Sequence, residues 1–228
     1  MTADRNTSRR RWLALGLAAV AGFADVVSYL TLHHIFTAHM TGNASKLGVA
    51  LGHGDLAAAV PLAVAPLLFV AGIALGTVLL DEGSRRLVLL CEAALVAAYM
   101  VYGSTVVRHG TIPDHSISRF YVLATLATLA LGMQSAALTE IDDATVRTTY
   151  VSGILTHVGQ SAVRRLRGSA QKTQQRLWFL GGLWAFYVAG ATAGSYTLAH
   201  LDLWCLAFPL AGLLAAAAVT PKRWGNGR

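Results

Sequence analysis

An aspartate inside an otherwise apolar run is the first residue of this chain that could do chemistry. Asp25 lies thirteen residues past Trp12, within GLAAVAGFADVVSYL. A carboxylate at bilayer depth costs on the order of 2.5–3.5 kcal/mol on insertion scales. It must therefore face a bundle interior, carry a proton or find a partner. Each option makes Asp25 a candidate for binding a proton, a cation or a polar solute. Gln134 sits near the matching place of a later apolar run, uncharged. Glu92 lies in the inner third of another run, close to Arg85 and Arg86, and reads as structural.

A second group of candidates is a phrase written twice. HMTGNASKLG, residues 39–48, and YVSGILTHVG, residues 150–159, both carry a small hydroxyl residue, Gly, five residues and Gly. The pairs are Thr41-Gly42 and Ser152-Gly153. Gly permits sharp backbone turns, and Thr41, Asn43 and Ser152 are good helix caps. A half-helix starting at membrane depth would offer free N–H groups and a positive dipole end to an anion or polar solute. The other arrangement is a tight turn leading into an interfacial helix, and HVGQSAVRRLRG does read as a basic amphipathic surface helix. Asp25, Thr41, Gly42, Asn43, Gln134, Ser152 and Gly153 are thus the candidate solute- or ion-binding residues.

Other chemistry is poorly supported. His33, His34 and His39 cluster, but their spacing lacks the i, i+4 pair of a helical metal site, and no Cys or paired carboxylate joins them. They read as interfacial, and no metal or cofactor is expected. There is no Gly-x-Ser-x-Gly, His-Glu-x-x-His or paired Asp, so an enzyme is not expected. Cys91 and Cys205 fall inside apolar runs and read as packing residues.

The elements that must position these residues are membrane helices. Of 228 residues, 55% are hydrophobic and only 13% charged, against about 25% charged in a soluble domain. Mean hydropathy is +0.53. Six runs are long enough to cross about 30 Å of hydrocarbon: Trp12–His34, Leu56–Leu80, Leu87–Val107, Phe120–Thr139, Leu177–Ala199 and Leu203–Thr220. The rest is short loops and a basic polar linker, 140–176, so the whole of 1–228 reads as one integral membrane domain.

Charge sets the expected orientation. With the N-terminus inside, fifteen of the eighteen Lys and Arg fall in cytoplasmic segments, leaving Lys46, Arg108 and Arg119 outside. This is the positive-inside pattern. It places both termini in the cytoplasm, and it explains the net charge of +7 without nucleic acid, which is not an expected partner. Anionic inner-leaflet lipid is one. SRRRWLALGLAAVAG resembles a twin-arginine export signal, but cleavage there would halve the first span and spoil the charge pattern, so an uncleaved first helix is expected.

The halves also match beyond the phrase. Gly22-Phe-Ala-Asp25 aligns with Gly132-Met-Gln134-Ser135, and VAGIALG at 70–76 aligns with VAGATAG at 188–194. Each of the latter carries Gly-x-x-x-Gly, Gly72/Gly76 and Gly190/Gly194, which lets helix backbones approach closely. The chain therefore reads as an all-α protein of two three-helix repeats, 12–107 and 120–220. Three spans is an odd number, so the repeats are inverted.

GFADVVSYL, FTAHMTGN, LGMQSAAL and TTYVSGIL together make the chain resemble, over nearly its whole length, the YoaK-like bacterial inner-membrane proteins. That pattern runs Gly-x-x-Asp, Met-Thr-Gly-Asn, Gly-Met-Gln-Asn and Thr-Thr-Tyr-Met-Thr-Gly. Here Ser135 stands where Asn is usual, and Val151-Ser152 replace Met-Thr. The resemblance implies the topology and these residues, and the family's function is unknown. The expectation is a small secondary transporter or channel in the inner membrane for a small polar or anionic solute, free to oligomerise. The alternative is a non-transporting membrane protein, such as a lipid-binding, assembly or signalling partner.

Overall fold

The computed structural model describes residues 2–82, 84–107, 112, 117–137, 151–167 and 171–220. Among them every regular element is helical: α1 (Thr2–Thr31), α2 (Met40–Gly52), α3 (Leu56–Glu82), α4 (Arg85–Val106), α5 (Ile117–Ala137), α6 (Val151–Leu166), α7 (Gln171–Leu201) and α8 (Ala207–Val219), with a 3-10 helix, Asp202–Leu206, before α8. Local chemistry sets the ends. Ser84, extended at φ −145°, accepts from the Leu87 N–H at the start of α4. His33 and His34 take positive φ, 50° and 62°, directly after α1, and Asp202 does so at 47° after α7. Non-glycine residues rarely adopt that conformation, and it stops a right-handed helix.

Among the described residues five stretches are long and apolar enough to cross a membrane, the last being the 43-residue Leu177–Val219. The sequence reading divided that stretch into two spans. Helix length cannot separate them, because the 3-10 turn leaves α8 only 13 residues. The packing nevertheless turns back there. The Arg11 guanidinium lies 5.8 Å from the Phe179 ring centre, and Gly194 packs on Phe23, so α1 and α7 run parallel. Phe208 then lies 6.3 Å from Phe23, Gly212 meets Val20, and Arg9 donates to the Val219 carbonyl, so α8 returns antiparallel to α1.

Other boundaries are corrected. His33 and His34 lie in a turn beyond the first helix rather than at its end. The expected linker 140–176 contains α6 and the start of α7, while 138–150 and 168–170 lie outside the described residues. Pro61 and Pro66 lie inside α3 without ending it.

Two helix crossings organise the interior, α1 on α7 and α3 on α5. Both are made by glycine. A Cβ on Gly72 would lie 2.6 Å from the Leu129 carbonyl oxygen, and one on Gly132 would lie 3.0 Å from Gly72 Cα. Gly76 meets Met133, and Gly132 also meets Phe69. In the other crossing Gly190 meets Ala19, Gly194 meets Phe23 and Gly22 meets Tyr187. Aligning Gly22 with Gly132, and Gly72 with Gly190, converts Gly22–Tyr187 into Gly132–Phe69, Gly190–Ala19 into Gly72–Leu129 and Gly194–Phe23 into Gly76–Met133. The peripheral helices follow suit: α2 lies on α3, and α6 lies on α7. Helix α4 packs against α5 and α8.

Candidate functional site

The site grows from Asp25. Its residue is 1% exposed, six residues before the end of α1. That places it in the last third of the helix rather than at the centre. Its Oδ1 accepts from the Thr37 N–H at 2.9 Å, the Ala38 N–H at 2.8 Å and the Thr37 hydroxyl at 3.1 Å. Its Oδ2 lies 2.7 Å from His39 Nδ1 and accepts from the Tyr187 hydroxyl at 2.9 Å. After α1 the chain therefore doubles back by about 9 Å, six residues of helical rise, to bring residues 37–39 level with Asp25. Helix α2 begins there, beside the buried carboxylate. The expected anion near a half-helix start is the chain's own carboxylate.

Asn43 holds the same loop from the other side. It is fully buried, donates through Nδ2 to the Phe36 carbonyl at 2.6 Å and accepts from the Phe36 N–H at 3.0 Å. A Cβ on Gly42 would lie 3.1 Å from the Phe36 ring, so glycine leaves room for it. Phe36 stacks on Tyr29 with ring centres 4.4 Å apart. Lys46 lies over both rings, at 4.9 and 5.1 Å, and donates to the His34 carbonyl. Partial burial pulls its ammonium below the ordinary lysine value. Thr41 is exposed, and its carbonyl accepts from the Ser45 hydroxyl at 3.1 Å.

The remaining candidates lie elsewhere. Gln134 is buried and donates to the Leu17 carbonyl at 2.8 Å. Leu17 is eight residues from Asp25, about 12 Å along the same helix, so Gln134 and Asp25 do not share partners. In the matched crossings the position equivalent to Asp25 is Ser135, whose hydroxyl donates to Leu131 at 3.0 Å. Ser152 lies at the start of α6, its side chain outside the described residues, and Gly153 is buried where α6 packs on α7. The three histidines separate: His33 lies against Phe120, His34 against Tyr29, and His39 turns in to Asp25.

Sequence reasoning missed two members of the network. The sequence places His39 among interfacial histidines and does not single out Tyr187. One signal was present. Tyr187 opens YVAGATAG where the first half has Phe69 in FVAGIALG, so a hydroxyl is added in one copy only. The two halves thus share backbone contacts but not polar chemistry: Asp25 and Tyr187 answer to Ser135 and Phe69.

The chemistry of the arrangement is that of a latch. Four donors, the Thr37 N–H and hydroxyl, the Ala38 N–H and the Tyr187 hydroxyl, converge on one carboxylate, and His39 Nδ1 stands beside Oδ2 as donor or acceptor according to its tautomer. The ionised form accepts from all four, and a proton on Oδ1 would displace a donor. A cavity of ≈ 500 Å³ lies along α1, α7 and α8, lined by Val20, Phe23, Phe186, Ala193, Phe208 and others, and Asp25 is not among its lining residues.

The chain has relatives described as transmembrane proteins. The chain is 27% identical over 160 residues to the UPF0700 transmembrane protein YoaK of Bacillus subtilis (strain 168), covering 68% of each chain. It is 28% identical over 230 residues to the UPF0700 transmembrane protein RA0705 of Rhizobium meliloti (strain 1021), covering 96% of this chain and 94% of the relative. No solved structure matches it. The model of the family described as protein of unknown function (DUF1275) matches residues 13–219. With several helices apolar and long enough to cross a membrane and this match over most of its length, the chain is a transmembrane protein and belongs to the DUF1275 family.

Proposed function

We propose that this protein is a small inner-membrane transporter or channel for a small polar or anionic solute. In this reading it crosses the membrane six times as two inverted three-helix repeats, 12–107 and 120–220, with both termini cytoplasmic. The observation that carries the reading is the matched pair of glycine crossings. Parallel α1 and α7 answer contact for contact to parallel α5 and α3, the relation expected when three-helix units face opposite ways about an axis in the membrane plane.

The candidate residues then take specific roles. Asp25, with Gly42 and Asn43, holds the inward start of α2 and closes the outer half. Thr41 lies at the exposed edge of that start. Ser152 and Gly153 begin the corresponding helix of the second repeat, and Gln134 ties α5 to α1. Opening requires the Asp25–His39–Tyr187 latch to break, which makes one carboxylate the control point for access. Catalysis is not part of the reading. His39 Nδ1 and the Tyr187 hydroxyl both face Asp25 Oδ2 and lie 3.3 Å from each other, and in this reading all three belong to the latch.

A second reading, a non-transporting lipid-binding, assembly or signalling protein, is favoured by one observation. The ≈ 500 Å³ cavity along α1, α7 and α8 is lined by apolar residues such as Val20, Phe23 and Phe208 and is not lined by Asp25.

The experiment is a thermal-stability screen of purified protein with small anions, neutral polar solutes and anionic phospholipids. A ligand of the folded state stabilises it, by about 2.7 kcal/mol at a hundredfold excess over Kd. Transport predicts a solute that stabilises wild type and is lost in Asp25→Asn. Stabilisation by phospholipid alone would favour the second reading.

A further inference from the structure

Glu92 is not used by the latch. It lies at the middle of the core-facing stripe of α4, among Val88, Leu89, Ala93 and Val96, and is 0% exposed. Neither of its carboxyl oxygens has a hydrogen-bond partner among the described residues. Arg85, the cation that sequence proximity offers, is two turns away on α4, with its Nε donating to the Ala137 carbonyl at 2.5 Å.

The described residues supply no other counter-charge at this level. The contact of Arg85 with Ala137, and of Gly103 with Leu123, sets α4 antiparallel to α5 and puts Glu92 level with the Ala130–Gln134 turn. On α5 the ionisable side chains are Arg119 and Tyr121, at its other end, and α8 has none. Helix α1 carries Arg9, Arg10 and Arg11 at its start and Asp25 eight residues beyond Leu17. Asp81 closes α3, and the 3-10 helix contributes Asp202 and Cys205 beyond the far end of α4. On α4 itself stand Arg86, Cys91, Tyr99 and Tyr102. A second unpartnered acceptor, Gln134 Oε1, lies at the same level on α5.

An ionised carboxylate without a donor or counter-charge is strongly disfavoured in such surroundings, whereas a carboxylic acid is tolerated. We propose that Glu92 is a proton-binding site, a carboxylic acid that stays neutral in the bundle while Asp25 is ionised. Two acids of one small protein then hold opposite charge states, because Asp25 is met by four donors and His39, and Glu92 by none of the described residues' donors. The proton comes from water and returns to it, with no other reactant. The inference stands whether or not the protein transports a solute.

The test is infrared spectroscopy of the protein in phosphatidylcholine–phosphatidylglycerol vesicles at neutral pH. A protonated carboxyl shows a C=O stretch apart from the carboxylate bands, and it shifts in heavy water. The expected result is such a band in wild type and in Asp25→Asn, lost in Glu92→Gln. If Glu92→Gln does not fold, Glu92→Asp is to shift the band. Dicyclohexylcarbodiimide, which attacks protonated carboxyls in apolar surroundings, is to modify the Glu92 peptide and spare Asp25. Absence of a band sensitive to either Glu92 substitution, or its replacement by one sensitive to Asp25→Asn, overturns the proposal.

Discussion

Asp25 collects donors from the loop and from α7, so substitutions there test the network directly. Asp25→Ala leaves the Thr37 and Ala38 N–H groups buried without their acceptor, and a loss of about 3 kcal/mol is expected. Asp25→Asn keeps the shape but not the charge and should cost less. Tyr187→Phe removes one hydrogen bond to a charged group, worth about 2 kcal/mol. Because Tyr187 and His39 meet the same oxygen, the double variant Tyr187→Phe/His39→Ala should depart from additivity. Thermal unfolding in detergent measures all of these, and additive losses would mean that the three side chains do not act as a unit.

At the scale of elements, the loop between α1 and α2 is held by Asp25 from within and by Asn43 from its own helix. Asn43→Ala deletes both bonds to the Phe36 backbone, and a loss of about 2 kcal/mol is expected. The same substitution should raise proteolysis between residues 32 and 39. The glycine crossings make a stronger demand. Gly190→Leu and Gly72→Leu each drive a side chain into a neighbouring backbone, and each should destabilise by about 3 kcal/mol. Gly16→Leu meets nothing within 4 Å and is the control. Equal losses at Gly190 and Gly72 are expected because the two crossings match. A neutral result at either would contradict the close packing described above.

For the whole molecule the decisive quantity is sidedness. With Cys91 and Cys205 replaced by Ala, His53→Cys reports the α2–α3 turn and Arg167→Cys the end of α6, both exposed positions. A membrane-impermeant maleimide should label His53→Cys in intact spheroplasts and Arg167→Cys only after permeabilisation. Labelling of both from one side would remove the inverted-repeat reading and, with it, the main support for transport.

Helical class, membrane character and the glycine pattern were determined by the sequence alone, because apolar length and Gly spacing are local properties that no tertiary arrangement can erase. The matched Gly72/Gly76 and Gly190/Gly194 could be read without a structure, and so could the cost of placing Asp25 in an apolar run. What answered that cost was decided only in three dimensions. His39 is 14 residues from Asp25, and Tyr187 is 162 residues away. Nothing in either neighbourhood says which carboxylate they will meet. The α1–α7 crossing brings Tyr187 in, and the doubled-back loop brings His39. Gln134 went to Leu17, and Glu92 to an apolar seam, for the same reason. A polar side chain's partner depends on which helices become neighbours, and chain order does not specify that.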